Sequence, residues 1–365
     1  MDALKKSKTF LSDLQRGCKF YQVPYPTALV RSLYLYSVSK FSRKEIIGYA
    51  LYVPSITATM PVLISKERSL AKLSSVNPPD LQHLTESKEE FYRICRELSL
   101  PIPETCGWTK DGRRYDADGK LIEKNDAWAD YLSVRLPEDF IIKDRAGTYG
   151  SGFCAFHRTG DLFHRVDSGD VYDIRGLLGA FAAVGDVSGI IIQKRLFDAA
   201  PLSALSGRRG LQTMRINTLR HQDGRISILF YMIKILAGRT LSDNFSTGTT
   251  GNLIAYGDHD GGILRGAVNI HDCGSGMKKV TAHPETGTPL DGFKLPYWSK
   301  AIELAKTGQR CFPKLPTLGW DIALTDAGAV IIEANALWDP PLYAPFIMSK
   351  ENWRRVFCGS PAVLQ

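Results

Sequence analysis

Residues 319–341 read GWDIALTDAGAVIIEANALWDPP. Two runs of β-forming residues flank DAG, which predicts a hairpin with a three-residue loop, Asp326 to Gly328, pairing Thr325 with Ala329. Counting outward sets Asp321 across from Glu333. Side chains alternate along a strand, so Ile331, Glu333 and Asn335 share one face and Val330, Ile332 and Ala334 the other. Two carboxylates and an amide then crowd one surface, and like charges opposed across a ladder destabilise it unless something positive sits between them. A divalent hard cation is a natural filler: Mg²⁺ takes a few carboxylate or amide oxygens together with phosphate oxygens and water. Asp321, Glu333 and Asn335 are therefore candidate metal ligands. An ordinary exposed strand pair with Lys or Arg neighbours would show the same spacing.

A second hairpin, MRINTLRHQDGRISILFYMIKI (214–235), repeats the pattern, with Gly224 third in its loop. Thr213, Arg215, Asn217 and Leu219 share one face of its first strand. Arg215 suits a planar, multidentate contact to phosphate or carboxylate, or is simply a surface arginine. Upstream, FIIKDRAGTYGSGF (140–153) puts Lys143 at the end of an apolar strand, before a loop bearing Gly147, Gly150 and Gly152. Such loops bring backbone N–H groups close to phosphates, with a lysine as point charge; a flexible hairpin tip would look alike. Walker A, GxGxxG, GxSxG and the kinase HRD and DFG patterns are missing, and the seven histidines lack metal spacing.

The 365 residues are ordinary in composition, 44% hydrophobic and 23% charged, enough for two or three domains. A net charge of +8 favours anionic partners such as nucleotides, sugar acids, nucleic acid or an anionic membrane surface, without choosing among them. Seven scattered cysteines without CxxC fit reduced thiols of a cytoplasmic protein. The start has no signal-peptide pattern. Residues 46–64, IIGYALYVPSITATMPVLI, approach the ~20 needed for a membrane span, but Pro54 and Pro61 predict a short helix, a loop and a strand in buried core. Ser42 with Glu45, and Ser87 with Glu90, predict capping boxes. We expect a mainly helical region over 1–100, a small α+β lobe over 101–195 with a helical stretch near 172–185, and a larger sheet-containing lobe over 196–365.

The order of these pieces resembles the ATP-grasp superfamily, specifically the sugar-transfer-associated ATP-grasp family: SKEEFYRICRELSLPIPE, FIIKDRAGTYGSGF, IIIQKRL, QTMRINTLR, DNFSTGTTGNLIAYGD, HPETGTPLDGFKLPYW and GWDIALTDAGAVIIEANA. They run from about 87 to 340, HPETG and the last segment being the specific ones. The resemblance implies an α+β, ATP-grasp fold, with a nucleotide held between two α+β lobes. It implies that Lys88 and Lys143 reach the phosphates, that the loop with Gly147, Gly150, Ser151 and Gly152 covers them, and that Gln193, Lys194 and Leu196 line the adenine site. It implies further that Arg215 steadies the transferred phosphoryl group or a substrate carboxylate, and that Asp321, Glu333 and Asn335 hold one or two Mg²⁺ ions. Gln193 and Lys194 stand where an acidic residue is frequent, and STGTTGN follows Asn244 in place of a glycine pair. The roles of Asn244 and Asn252 stay open.

The expected activity is that of an ATP-dependent carboxylate–amine ligase in polysaccharide or related metabolite synthesis, the pathway coming from the family's name alone. A sugar or polyol kinase on the same fold is the alternative, and a non-enzymatic anion-binding protein a third. Nucleic acid is not an expected partner, because the basic run LKKSK near the start is short and the other basic residues are interspersed with acidic ones.

Overall fold

The computed structural model describes residues 2–60, 63–145, 153–181, 189–257 and 261–339. The chain forms two compact units, the second inserted in the sequence of the first: residues up to 83, 198–329 and from 333 onward make one, and residues 84–197 with 330–332 the other.

The first unit opens with helices α1 (Asp2–Tyr21), α2 (Tyr25–Ser37), α3 (Arg43–Gly48), α4 (Pro54–Ala58) and α5 (Lys66–Val76). The capping box of α3 forms as expected: Glu45 Oε2 accepts from Ser42 N (2.8 Å) and Ser42 Oγ from Glu45 N (3.2 Å). The first part of the apolar run after it is core, with Ile46, Leu51, Tyr52 and Val53 buried, whereas Pro54, Ser55, Ala58, Thr59 and Leu63 are exposed and Ile64 returns to the interior. Here a second helix, α4, replaces the expected loop, because Pro54 at its first turn needs no N–H partner. Residues 63 and 64 are coil rather than strand. A short helix α6 (His83–Glu86) stands at the changeover.

The second unit contains α7 (Lys88–Glu97), β1 (Thr105–Lys110), β2 (Arg113–Asp116), β3 (Leu121–Ile122), α8 (Asn125–Arg135), β4 (Asp139–Asp144), β5 (Phe153–Thr159), β6 (Leu162–Arg165), β7 (Val171–Tyr172), α9 (Ile174–Phe181) and β8 (Ile190–Lys194). The strands form one antiparallel sheet in the order β3-β2-β1-β8-β4-β5-β6-β7. Phe140, Ile142, Phe156, Ile190 and Ile192 bury one face against Trp128 and Leu132 of α8 and Leu177 of α9. Ser87 does precede α7, yet its side chain makes no cap bond, so that capping box does not form.

The chain returns to the first unit through α10 (Ala200–Ser206), β9 (Thr213–Arg220), β10 (Ile226–Ile235), β11 (Leu253–Gly257), β12 (Ile263–Ile270), β13 (Met277–Val280), β14 (Asp291–Lys294), α11 (Trp298–Cys311), β15 (Thr317–Thr325) and β16 (Gly328–Asn335). Its sheet runs β13-β12-β11-β10-β9-β15-β16, with β14 beside β12. The β9–β10 loop closes as predicted: His221 N donates to Arg225 O, Gly224 N donates to His221 O, and Gly224 has φ +82°. In the β15–β16 turn the glycine is also left-handed (φ +117°), but it opens the returning strand, so only Asp326 and Ala327 lie between the strands.

Both faces of this sheet are covered. Gly308 of α11 lets Trp320 of β15 approach closely on one side. On the other, Leu14, Leu35, Ile46 and Leu73 of the helices join Leu219, Phe230, Met232, Ile254 and Val268 of the strands in one core. Asn77, just after α5, locks the layers: its Nδ2 donates to Thr317 O (2.8 Å) and Ala336 O (2.7 Å), and its Oδ1 accepts from Thr317 N.

Candidate functional site

Register decides which side chains of the first unit meet. Arg215 lies between Met232 of β10 and Asp321 of β15, and Ile233 pairs with Met214, which brings Lys234 to the same face. Arg215 grips Asp321 with both branches, Nε on Oδ1 and an Nη on Oδ2 at 2.9 Å, and Lys234 Nζ reaches Oδ2 at 3.1 Å. The three side chains are at most 17% exposed. Burial alone would raise the Asp321 carboxyl; Arg215 and Lys234 outweigh it and hold the group well below the usual carboxylate range. Glu333 also reaches Asp321, and burial first, then Asp321, pushes its carboxyl up, so the two carboxyls favour sharing a proton. Asn335 Nδ2 lies 3.5 Å from Glu333 Oε1 and from Gly319 O, the outer limit of a hydrogen bond.

Asp321, Glu333 and Asn335, with Arg215, thus gather as the alternation of strand residues predicts. Two participants went unread. Lys234 looks like an ordinary polar break in FYMIKI until the β9–β10 register is known. Asp243 lies in the loop after β10, where it accepts from Thr213 N (2.8 Å) and Thr213 Oγ1 (2.6 Å). Burial raises its carboxyl, with Lys234 opposing. Three carboxylates face two cations, so the fully ionised cluster carries an excess of one negative charge. Protein cations supply part of the positive charge between Asp321 and Glu333. The remaining deficit and the hard-oxygen donor set suit a divalent cation.

The loop between β10 and β11 is shaped by Asn252, which is fully buried. Its Oδ1 accepts from Ala237 N (3.1 Å) and Gly238 N (2.9 Å), and its Nδ2 donates to Ser242 O (2.8 Å) and Asn244 O (3.0 Å). Asn252 therefore has a structural part, holding the loop that carries Asp243 and Asn244. Asn244 Oδ1 accepts from Ser246 N (3.3 Å), and both Ser246 and Thr247 are left-handed (φ +43° and +58°). HPETG serves the same loop: His283 Nε2 bonds Leu236 O (2.9 Å) while its Nδ1 accepts from Glu285 N and Thr286 N. Sequence reasoning set the histidines aside, and this one is indeed committed to backbone.

In the second unit, Lys143 pairs with Ile191 and Ile141 with Gln193, so Lys143 and Gln193 share the sheet face opposite the one that packs on α8 and α9. Gln193 is fully buried, and neither atom of its amide has a hydrogen-bond partner. Lys194 is exposed at the strand end, and its N–H is taken by Glu104 O, as that of Arg195 is by Asp139 O. Leu196 is half-buried in the following coil, and Lys88 half-buried at the start of α7. Gly147, Gly150, Ser151 and Gly152 lie outside the described residues.

Solved structures similar to this one include biotin carboxylase from Campylobacter jejuni (TM-score 0.46, 8% identity, 81% of this chain and 52% of that one) and D-alanyl-alanine synthetase A from Vibrio cholerae (0.43, 12%, 79% and 68%). An N5-carboxyaminoimidazole ribonucleotide synthetase in complex with ADP also matches (0.36, 13%, 70% and 45%). The chain spans about half the length of the first structures it matches. No curated protein matches the sequence. A family model described as sugar-transfer associated ATP-grasp matches residues 68–350, most of the chain and all of the strands described above. The chain belongs to the sugar-transfer associated ATP-grasp family.

Proposed function

We infer that the protein is an ATP-dependent carboxylate–amine ligase. The observation that carries this reading is the buried Arg215–Lys234–Asp321–Glu333 cluster on one sheet face. A carboxylate does not acylate an amine at neutral pH, because its oxygen is a poor leaving group. Transfer of the γ-phosphoryl of ATP to that oxygen, releasing ADP, makes an acyl phosphate; the amine then attacks the acyl carbon and expels phosphate. This chemistry needs positioning and charge neutralisation and no protein nucleophile, in keeping with a sequence that offers no hydrolase triad.

Asp321, Glu333 and Asn335 would hold Mg²⁺, which when bound neutralises phosphate charge. Arg215, rigidly held by Asp321, presents a guanidinium to the transferred group or the substrate carboxylate. Lys234 keeps Asp321 ionised and offsets the negative excess that would otherwise repel phosphates. Lys88 and Lys143 are assigned to the phosphates, and Gln193, Lys194 and Leu196 to the adenine. An unpaired buried amide is costly, and an adenine edge offers a donor and an acceptor to satisfy that of Gln193. The loop from Gly147 to Gly152 would shield the acyl phosphate from water. Synthesis of a polysaccharide or related metabolite is the proposed setting.

The test is ADP release from Mg-ATP across pooled uronic acids, amino acids and sugars, with hydroxylamine present to trap an acyl phosphate. Hydroxamate that disappears in Glu333→Gln is the expected result. Substrate-dependent ADP with a phosphorylated product and no hydroxamate would replace the ligase with a kinase, and full activity in Glu333→Gln would overturn the metal assignment.

A further inference from the structure

The basic excess is not spread along the chain. Residues 1–44 contain nine Lys or Arg and two acidic residues, an excess of seven, where the whole chain carries +8. Among the described residues, the same segment holds half of the large hydrophobic side chains that stand exposed. It also lies outside residues 68–350, so the family match does not account for it.

The exposed groups gather on α2. That helix buries Ala28, Ser32 and Leu35 and turns Val30, Leu33 and Tyr34 outward, at 67%, 57% and 59% exposure. Leu33, Tyr34 and Val30 lie on the side of the helix opposite the buried row. A helix face left to water ordinarily carries charge, yet the one charged residue of α2, Arg31, is tied to Leu51 O (3.1 Å) and Thr57 Oγ1 (2.6 Å). Tyr36 and Val38 extend the surface. Charge enters at its rim: the Arg43 guanidinium sits over the Tyr36 ring (5.7 Å) and the Phe10 ring of α1 (5.8 Å), and Lys40 and Lys44, its near neighbours in sequence, are exposed.

We propose that α2 and its basic rim form a docking surface for an anionic lipid membrane. Aliphatic and tyrosine side chains on one helix face, bordered by Arg and Lys, match an interfacial helix that lies in the headgroup plane. The charge excess is complementary to anionic headgroups. The contact is superficial: no helix among the described residues is long and apolar enough to cross a bilayer. The inference is independent of the ligase reading, since none of these residues belongs to the site described above.

The whole chain is pelleted with sucrose-loaded vesicles of phosphatidylcholine alone or mixed with phosphatidylglycerol. Binding to the mixed vesicles only, weakened by high salt, is expected. Arg43→Gln with Lys44→Gln should lower the partition coefficient about 25-fold, at about fivefold for each basic residue. Leu33→Glu should abolish binding while far-ultraviolet circular dichroism keeps its melting profile. If that variant melts early, Val30→Ser, at the most exposed position, gives the same reading with several-fold weaker binding. No pelleting with anionic vesicles, equal binding to both compositions, or unchanged binding in the α2 variants overturns the proposal. Loss of self-association in Leu33→Glu without vesicle binding by the parent overturns it in favour of contact between two copies.

Discussion

Replacing Asn252 by alanine tests whether one amide organises the loop above the acidic cluster. The substitution removes four hydrogen bonds at once. Gly238 N is buried and would be left without its acceptor, at a cost of about 1–3 kcal/mol. Ala237 N, Ser242 O and Asn244 O are half-buried and can recruit water, so each loses about 0.5–1 kcal/mol. The sum is roughly 2.5–6 kcal/mol, a large part of the ~5–15 kcal/mol that stabilises an ordinary domain. Urea denaturation followed by tryptophan fluorescence reads it. Asn252→Asp sharpens the test: Oδ1 keeps its two donors, but an oxygen replaces Nδ2 opposite two carbonyls. Its loss should match or exceed that of alanine at neutral pH and shrink in acid, where a protonated carboxyl donates again. An alanine variant within about 0.5 kcal/mol of the parent would refute the account, because surface-like tolerance is incompatible with four bonds held by one buried group.

Three further outcomes follow from the geometry. Asp198 accepts from Gln212 N and Nε2, but burial pushes its carboxyl up to about 7; the folded state therefore binds the proton more tightly than the unfolded chain. The stability this confers is complete below about pH 4 and lost as pH rises towards 7. Asp198→Asn should flatten the slope in urea melts across that window. Lys234→Met removes the 3.1 Å contact to Asp321 and should lower stability by about 3 kcal/mol. Mg²⁺ should then raise its melting temperature more than that of the parent, since the ion replaces lost positive charge. Gly189 has φ +100°, and a Cβ there would lie 2.0 Å from Thr109 O; Gly189→Ala should cost more than about 3 kcal/mol and, in calorimetry, lower the transition of the second unit while sparing that of the first.

Much of the site was legible because strands repeat with a period of two. The alternation in VIIEAN places Glu333 and Asn335 together, and DAG locates the turn that returns them towards Asp321. What the sequence hid was lateral. Lys234 joins Asp321 only through the pairing of β10 with β9 and of β9 with β15, partners whose offsets are set by a bulge near Leu229 as well as by loop length. Asp243 is reached by a loop held from Asn252 and His283, whose hydrogen bonds are local only in space. Local signals also misled. Ser87 and Glu90 have the spacing of a capping box, yet no cap bond forms at α7, whereas Ser42 and Glu45 make one. Glu90 pairs instead with Arg93, one turn along the helix. Two prolines in 46–64 pointed away from a spanning helix, but the loop expected between them is a short helix and the strand expected after them is coil at 63 and 64.

The insertion of the second unit also dictates an order of events during synthesis. Asn77 emerges from the ribosome 240 residues before Thr317 and still longer before Ala336, the backbone groups it binds. At about 5–20 residues per second this interval lasts roughly 10–50 s. The inserted unit can fold within it, having nearly all its strands in hand. The apolar residues of α1, α2, α3 and α5 must meanwhile wait for Leu219, Phe230 and Val268 to appear. The early helices are thus the segment of the nascent chain most in need of shelter, and a chaperone that recognises exposed aliphatic helix faces should bind chains halted near residue 200 more strongly than chains halted near residue 340.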